Sequence, residues 1–231
     1  MSRVTCEQAS SLAVATNLGG VNNVLQLCRR VGAMVVYFST SEVYGPDCDP
    51  MDEEEPAPRP NNRYGLSKLL GERLVEYEVR AHGLRAVTLR PFMVYDEHEA
   101  LGDHRSAMIR FAASLAAGPP IEVHRGSTRG WLHSSDAVRA IERAARVEKY
   151  LVVNIGHEEV VPMRRLAEML AERLGAPRGL IRSTSQPARM TLVKRPLLAR
   201  MNDLLGVTPT VSLKAGVDRV CRKIRERDGV V

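Results

Sequence analysis

Two short apolar strands separated by a long helix constrain the fold more than any other feature of this chain. Residues 34–38 are apolar on both faces, which is typical of a strand buried inside a parallel sheet. A helix is predicted over residues 64–82, where leucines recur on one face and Gly83 ends the pattern. Residues 85–90 predict the next strand, which ends at Pro91. Because a helix joins the two strands, the pattern predicts a parallel βαβ unit.

The same alternation continues along the rest of the chain. A further short strand is predicted over residues 150–155. Further helices are predicted over residues 9–31, 105–117, 135–146, 161–174 and 213–227. After about Asp96 the loops lengthen and the strand signal thins, which favours a smaller C-terminal lobe. The sequence therefore predicts an α/β fold with helices on both faces of a parallel sheet.

Composition excludes several classes of protein. The chain has 231 residues, 44% hydrophobic and 26% charged, which is typical of a soluble globular protein with a sizeable core. Its apolar runs are too short to span a membrane. The net charge of +6 could indicate nucleic-acid binding, but aromatic residues make up only 4% and no basic cluster interleaves with them. A solvated basic surface or recognition of an anionic small molecule explains the charge more economically, so we expect no nucleic-acid partner.

The cysteines bear on compartment and on metal binding. Cys6, Cys28, Cys48 and Cys221 are scattered without metal-ligand spacing. We therefore expect no metal site, and reduced thiols in a cytoplasmic protein.

The candidate chemistry lies after the first strand and at the start of the long helix. Phe38 is followed by Ser-Thr-Ser-Glu-Val-Tyr-Gly, and the helix opens with Tyr64-Gly-Leu-Ser-Lys68. Tyr64 and Lys68 lie four residues apart, so both side chains rise from one helical face. A free tyrosine is a poor base at neutral pH, but a nearby ammonium favours the phenolate, so the spacing predicts that Lys68 lowers the pKa of Tyr64. The alternative is a surface pair on an amphipathic helix.

Five motifs, in order, resemble those of the extended short-chain dehydrogenase/reductases, in the NAD-dependent epimerase/dehydratase family that modifies nucleotide-linked sugars. One Tyr-x-x-x-Lys is common by chance, but the ordered matches extend over nearly the whole chain, to about Val220. The matching segments are residues 17–25, 39–45, 64–68, 89–95 and 128–136, with Asn154-Ile155-Gly156 beyond them.

The resemblance implies a fold and an activity. The fold is a partial Rossmann-like parallel sheet with a small C-terminal substrate-binding lobe. Residues 1–95 would form the partial core with the catalytic residues, and residues 96–231 the remaining core elements interleaved with the lobe. The activity is NAD-dependent epimerisation, dehydration or decarboxylation of a nucleotide-activated sugar through transient ring oxidation. The alternative is a degenerate, non-catalytic homologue that acts as a sugar-nucleotide-binding or interaction module.

The resemblance also implies residue roles. Tyr64 would be the base that takes the proton of a sugar hydroxyl, and Thr40 would hydrogen-bond the same oxygen. Lys68 would assist Tyr64, and these two residues with Pro91 would contact the nicotinamide end of NAD.

Ser41 and Glu42 refine the expected reaction. Ser41 is a substrate-contacting position at which one type of sugar 4,6-dehydratase has an aspartate that expels water. The Thr-Ser-Glu sequence more closely resembles decarboxylating and some dehydrating members. Glu42 is then a candidate general acid or base, and the alternative is a solvated or helix-capping carboxylate.

Several positions depart from the family pattern. Met93 is a substrate-contacting position where the family usually has a hydrogen-bonding asparagine, and Gly130 replaces a usual aspartate. Arg129 is retained and is expected to bind a substrate diphosphate in a forked contact. Arg195, beside Lys194, lies where the family supplies another phosphate-binding cation. Each of these cations could equally be a solvent-facing charge.

The largest departure concerns the cofactor. Family members hold the NAD pyrophosphate with a Gly-x-x-Gly-x-x-Gly loop at a helix N-terminus, but the early pair Gly19-Gly20 lies inside a predicted helix. We therefore expect this chain alone to bind NAD poorly. Three explanations stay open: a sequence that starts late, a second subunit that supplies the missing half, or a degenerate homologue. The intact set of Thr40, Tyr64 and Lys68 favours the enzyme.

The resemblance implies a homodimer as well. In this family the helix with the Tyr-x-x-x-Lys pair and the helix before the catalytic strand commonly form a four-helix dimer interface. The corresponding segments, residues 9–31 and 64–82, have enough apolar residues to cover both a core and a partner.

Overall fold

A computed structural model describes residues 3–102, 105–187 and 189–227, with only the backbone for Arg3 and Val4. The helices are α1 (Arg3–Gln8), α2 (Ser10–Val14), α3 (Gly20–Val31), α4 (Arg63–His82), α5 (Ala107–Ala117), α6 (Ser134–Ala144), α7 (Met163–Leu174), α8 (Ala199–Asp203) and α9 (Leu213–Arg227). The strands are β1 (Val35–Phe38), β2 (Ala86–Pro91), β3 (Val94–Tyr95), β4 (Ile121–His124), β5 (Thr128–Gly130), β6 (Leu132–His133), β7 (Leu151–Ile155), β8 (Val160–Pro162), β9 (Ile181–Thr184) and β10 (Val193–Lys194). Within the described ranges, no helix is long and apolar enough to cross a membrane.

A parallel sheet in the order β1-β2-β7 forms the centre of the fold. On one face α3 and α4 pack against it, in a core that includes Leu25, Tyr37 and Val75. On the other face α6 and α8 pack, in a core that includes Leu89 and Met201. The predicted α/β fold with helices on both faces of a parallel sheet is confirmed.

A second hydrophobic core lies away from this sheet. It joins α5, α7 and α9 to strands β4 and β9 around Trp131, with Met108, Leu166 and Val217 fully buried. The remaining short strands form a β10-β5-β8 sheet and a β3-β6 pair. Most of these strands have only two to four residues, too few for a period of two to show in the sequence.

Strand β1 lies at an edge of the central sheet, and the prediction that it is buried on both faces was wrong. Val35 and Ser39 donate their N–H groups to the carbonyls of Arg85 (2.9 Å) and Leu89 (2.7 Å) on the β2 side. The backbone of Val36 and Phe38 therefore faces away from β2, where no other described strand pairs with it. Phe38 is 41% exposed. Apolar content alone cannot distinguish such an edge strand from a central one.

The predicted helix over residues 9–31 is interrupted by a π-helical turn. Ser10 to Val31 is helical throughout, but Ala15–Gly19 winds with the wider π spacing. Such turns occur frequently at functional sites because they redirect the side chains around them. Here the turn carries Asn17, whose amide donates to Ser67 Oγ at 2.9 Å, on the helix that bears Tyr64 and Lys68.

A buried ion pair fixes α4 to the sheet. Glu72 of α4 accepts two hydrogen bonds from Arg90 of β2, at 3.0 Å from Nε and 2.7 Å from Nη2, and both side chains are buried. This forked geometry sets the position of α4 along the sheet. The same helix contains Tyr64 and Lys68, so the pair also sets the depth of the candidate site.

Replacing Glu72→Gln is expected to destabilise the fold by about 3–5 kcal/mol, because the Arg90 guanidinium stays buried without its counter-charge. The free energy of unfolding in urea measures this loss. Glu76→Gln is the matched control, since Glu76 pairs with exposed Arg73 at 2.8 Å and such surface pairs contribute about 0–1 kcal/mol. Equal losses in the two variants would contradict the assigned role.

Candidate active site

The first turn of α4 packs against the segment that follows β1. Asn62 caps this helix: its side-chain oxygen accepts a hydrogen bond from Gly65 N at 2.9 Å, and its amide nitrogen donates to Glu42 Oε2 at 2.8 Å. Gly65 permits this approach, because a Cβ there would lie 2.6 Å from the carbonyl oxygen of Glu42. The two candidate catalytic segments, residues 39–45 and 64–68, are therefore held in direct contact.

A cavity of about 620 Å³ opens where these segments meet. Its volume lies in the range of sites that bind small molecules. Of the residues predicted from the sequence, it is lined by Thr40, Ser41, Glu42, Tyr64, Pro91 and Met93. Lys194 also lines it, whereas Lys68, Arg129 and Arg195 do not. The structure thus brings six of the nine predicted site residues to one cavity.

The Tyr64 phenol is less acidic than the sequence predicts. Burial raises its pKa above the ordinary value, a hydrogen bond with Thr40 lowers it, and the negative charge of Glu42 raises it again. Burial is the largest of these effects. The prediction that Lys68 lowers the pKa of Tyr64 was wrong for this structure, because the Lys68 ammonium lies elsewhere.

The Lys68 side chain faces the open edge of β1. Its Nζ donates to the carbonyl oxygen of Phe38 at 2.7 Å and lies 5.2 Å from the centre of the Tyr37 ring. Burial lowers the pKa of Lys68. Lys68 lines a separate groove of about 370 Å³ between α3 and β1, together with Asn17 and Val36. Tyr64 and Lys68 therefore border two neighbouring spaces rather than one.

Two acidic residues, Glu42 and Glu99, line the cavity, and Lys194 is the counter-ion of Glu42. Lys194 Nζ forms an ion pair with Glu42 Oε1, while Asn62 occupies the other carboxylate oxygen. The Lys194 side chain is only 5% exposed and that of Glu42 15% exposed. Both carboxylate oxygens of Glu42 are therefore bonded to side chains from other parts of the chain.

Two predicted substrate cations lie outside the cavity lining. Arg129 is buried, and its guanidinium donates to the carbonyls of Thr128 (2.7 Å), Leu192 and Thr191 (2.8 Å). Arg195 has a side chain that is 55% exposed and pairs with Asp49 at 3.0 Å. Their predicted contact with a diphosphate stays a prediction.

Gly130 has a structural reason in this chain. A Cβ at this position would lie 2.4 Å from the carbonyl oxygen of His157, so the close approach of the loop between β7 and β8 leaves no space for a side chain.

Comparisons with known proteins agree with this geometry. The NAD dependent epimerase/dehydratase family matches residues 4–156, about two thirds of the chain and all the segments that build the cavity except the one with Lys194. The chain belongs to this family. Its relatives include UDP-glucuronic acid decarboxylase 5 of Arabidopsis thaliana, which is 28% identical over 227 residues. The match covers 94% of this chain and 65% of that protein, so this chain spans less than two thirds of its relative's length.

Solved structures show the same fold. A dTDP-glucose 4,6-dehydratase of Streptomyces venezuelae, solved with NAD bound, is 25% identical and aligns with a TM-score of 0.87 over 99% of this chain and 71% of its own. A UDP-glucose 4-epimerase of Thermotoga maritima, solved with UDP-glucose, is 22% identical and aligns with a TM-score of 0.92 over 98% of this chain and 75% of its own.

Sequence reasoning missed three residues of this family site. Asn62 immediately precedes α4 and lies two residues before the predicted start of that helix, and asparagine is a favoured N-cap residue, so the sequence offered a signal for its capping role. Asn17 lies in a matched motif, but no sequence pattern indicates the π-helical turn that places it beside Ser67. Lys194 and Arg195 are adjacent candidates for one cation position, and no local pattern marks which of the two points inward.

Replacing Thr40→Val is expected to raise the pKa of Tyr64 further, because it removes the hydrogen bond that opposes the effect of burial. Titration of ¹³C-labelled tyrosine rings by NMR measures this, and the resonance lost in Tyr64→Phe identifies the residue. In the native protein the midpoint should lie above the ordinary value of 10.0. Ser41→Ala removes a neighbouring hydroxyl that does not act on Tyr64, and should leave the midpoint in place. A lower midpoint in Thr40→Val would refute the assignment.

Proposed function

We propose that this chain carries the catalytic part of an enzyme that modifies a nucleotide-activated sugar by transient oxidation of a ring carbon. The observation that carries the proposal is the convergence of Thr40, Glu42 and Tyr64 on one cavity of about 620 Å³. Similarity to a UDP-glucuronic acid decarboxylase and to a dTDP-glucose 4,6-dehydratase supports the substrate class.

Tyr64 is the proposed base for the sugar hydroxyl. Its side chain lines the same cavity as Thr40, so a substrate hydroxyl that enters here meets both oxygens. Thr40 orients that hydroxyl, and Tyr64 takes its proton as the carbon is oxidised. The raised pKa of Tyr64 implies that the phenolate gains population as the pH rises, so turnover should increase toward alkaline pH.

Glu42 is the proposed acid or base for the second part of the reaction. Dehydration removes a proton from a carbon of the oxidised ring, and decarboxylation adds a proton to a ring carbon after CO2 leaves. Glu42 is the cavity carboxylate beside Thr40 and Tyr64. Ser41 lines the cavity but has no carboxyl group with which to expel water. Together with the similarity to the decarboxylase, this favours decarboxylation over 4,6-dehydration.

The cavity fits one end of NAD. Tyr64 and Pro91 would hold the nicotinamide end, with Phe38 beside them and Lys68 behind Tyr64. The chemistry that NAD supplies when bound is acceptance and return of a hydride. Among the described residues, the helices that follow strand segments begin after Asn62, Ser106, His133, Pro162 and Leu198, and none of these caps is a glycine turn. Gly19 and Gly20 have helical dihedral angles and cannot serve as one.

We also propose that the protein works in a reducing compartment, the cytoplasm. The free thiols in the described part of the chain are Cys6, Cys28, Cys48 and Cys221, as expected where disulfides do not form.

We propose that the second core, around Trp131, supports the substrate cavity. Next to this core lies β5, which pairs with the strand that carries Lys194. Residues 96–231 therefore contribute to the substrate cavity, as the predicted division into a core and a substrate lobe requires.

The runner-up is a non-catalytic module that binds a sugar nucleotide. The two functions share the cavity but differ in what they require of it. Binding alone has no need for a phenol held by Thr40 and a carboxylate held by a buried lysine. The polar arrangement therefore favours catalysis.

Tyr64→Phe is expected to abolish conversion of the nucleotide sugar, because it removes only the ionisable oxygen and keeps the ring. The loss should be at least about 100-fold in kcat, at the lower end of what general base catalysis contributes. Chromatographic detection of product with NAD supplied measures it. Tyr77→Phe is the control, since Tyr77 is exposed on the same helix. Near-native turnover by Tyr64→Phe would exclude the proposed mechanism.

This chain alone is expected to bind free NAD weakly, because the described residues offer contacts to the nicotinamide end only. Loss of the charge-assisted pyrophosphate contacts should cost several tenfold steps in affinity, each about 1.4 kcal/mol. Isothermal calorimetry with NAD measures the Kd, and the same titration in the presence of a second polypeptide tests whether a partner supplies those contacts. Stoichiometric NAD in the protein purified by itself would overturn this expectation.

We further propose a homodimer through α4 and the helical segment before β1. Leu66 and Leu70 are exposed on α4, and Leu12 is exposed on α2. Light scattering at micromolar concentration should give twice the chain mass, and Leu70→Glu should shift it toward the monomer because it places a charge in the apolar contact. Val138→Glu changes an exposed apolar residue on α6 and should leave the mass unchanged. A native monomer would contradict the proposal.

A further inference from the structure

The ion pair between Lys194 and Glu42 joins parts of the chain that are 152 positions apart. Glu42 belongs to the segment after β1, and Lys194 ends β10, which pairs with β5 beside the second core. Both side chains line the cavity that contains Thr40 and Tyr64. The ion pair therefore connects the segment after β1 to strand β10 across the cavity.

The carboxylate of Glu42 is held at both oxygens. Lys194 takes Oε1, and Asn62 donates to Oε2 at 2.8 Å while its own oxygen caps α4 at Gly65 N. A carboxylate whose two oxygens are both bonded keeps one orientation, and proton transfer at a fixed substrate atom requires such a fixed orientation. Asn62 ties that orientation to the helix turn that carries Tyr64.

The strand that carries Lys194 is held in place by Arg129. Its register partner across the β5–β10 pair is Arg129, whose guanidinium donates to the carbonyls of Leu192 and Thr191 (2.8 Å), just before β10. Arg129 thereby anchors the strand from which Lys194 reaches Glu42. A buried lysine with such support has a fixed partner, unlike a surface cation that samples solvent.

We propose that Lys194 is a positioning residue that keeps the Glu42 carboxyl group aimed at the reacting atoms beside Thr40 and Tyr64. This inference rests on the proposed function, because it assigns Lys194 a role through the carboxylate that the reaction uses. It differs from a phosphate-binding role, in which the lysine would contact the substrate directly and affect chiefly its affinity.

A double-mutant cycle on turnover separates these roles. Lys194→Met should lower kcat about tenfold to a hundredfold with KM within about threefold of native, and Lys194→Arg should recover most of the loss. In a Glu42→Gln background, Lys194→Met should cause no further loss, because the lysine acts through that carboxylate. Lys223→Met is the matched control and should behave as native, since Lys223 is paired with Glu226 on the surface of α9.

Two results would overturn the proposal. A rise in KM that exceeds the fall in kcat would make Lys194 a substrate contact. Equal losses from Lys194→Met in the native and Glu42→Gln backgrounds would show that the lysine does not act through Glu42.

Failure of the proposed function has a separate signature. If the native protein converts no nucleotide sugar with NAD supplied, the same four proteins are compared by their urea midpoints. Lys194→Met leaves the buried Glu42 carboxylate without its counter-ion. The double variant, in which Glu42→Gln removes that charge, should therefore be more stable than Lys194→Met alone. Strictly additive midpoint shifts would overturn the pairing itself.

Discussion

The arrangement of this molecule depends on how closely the first turn of α4 approaches the segment after β1. Gly65 makes the approach sterically possible, and Asn62 uses its two amide atoms to hold the contact from both sides. A side chain at position 65 would push the helix away, and Tyr64 would then leave Thr40. The geometry of the candidate site thus follows from one tight helix-to-loop contact more than from the sheet as a whole.

Buried charge then stabilises this contact and limits how it can move. Glu72 and Arg90 fix the middle of α4 to β2, and Glu42 and Lys194 fix the loop to β10. Buried pairs add little net stability compared with apolar residues of similar size, but breaking one partner is costly. Their effect is therefore to favour one arrangement of the cavity. The pair at Glu42 forms only when residues far along the chain have folded, so the site is a product of the whole chain.

Much of the fold and part of the site could be predicted from sequence, and the misses have identifiable causes. Parallel strands and long helices carry strong periodic signals, whereas strands of two residues such as β10 carry none. Lys194 and Arg195 illustrate the consequence. Successive side chains of a strand point to opposite faces, so one of the two enters the cavity and the other reaches Asp49 in solvent. Because the sequence does not reveal this strand, it gives no basis for predicting which of the two residues enters the cavity.

The pKa of Tyr64 shows a second limit on prediction from sequence, because the predicted effect depends on where the flexible Lys68 side chain points. The spacing of Tyr64 and Lys68 places both on one helical face, but the lysine stem is long enough to reach the carbonyl of Phe38. That carbonyl lies on the open edge of β1, where it has no strand partner among the described residues. The spacing of Tyr64 and Lys68 therefore places the two side chains on one helical face without fixing the partner of the ammonium, which here is the Phe38 carbonyl.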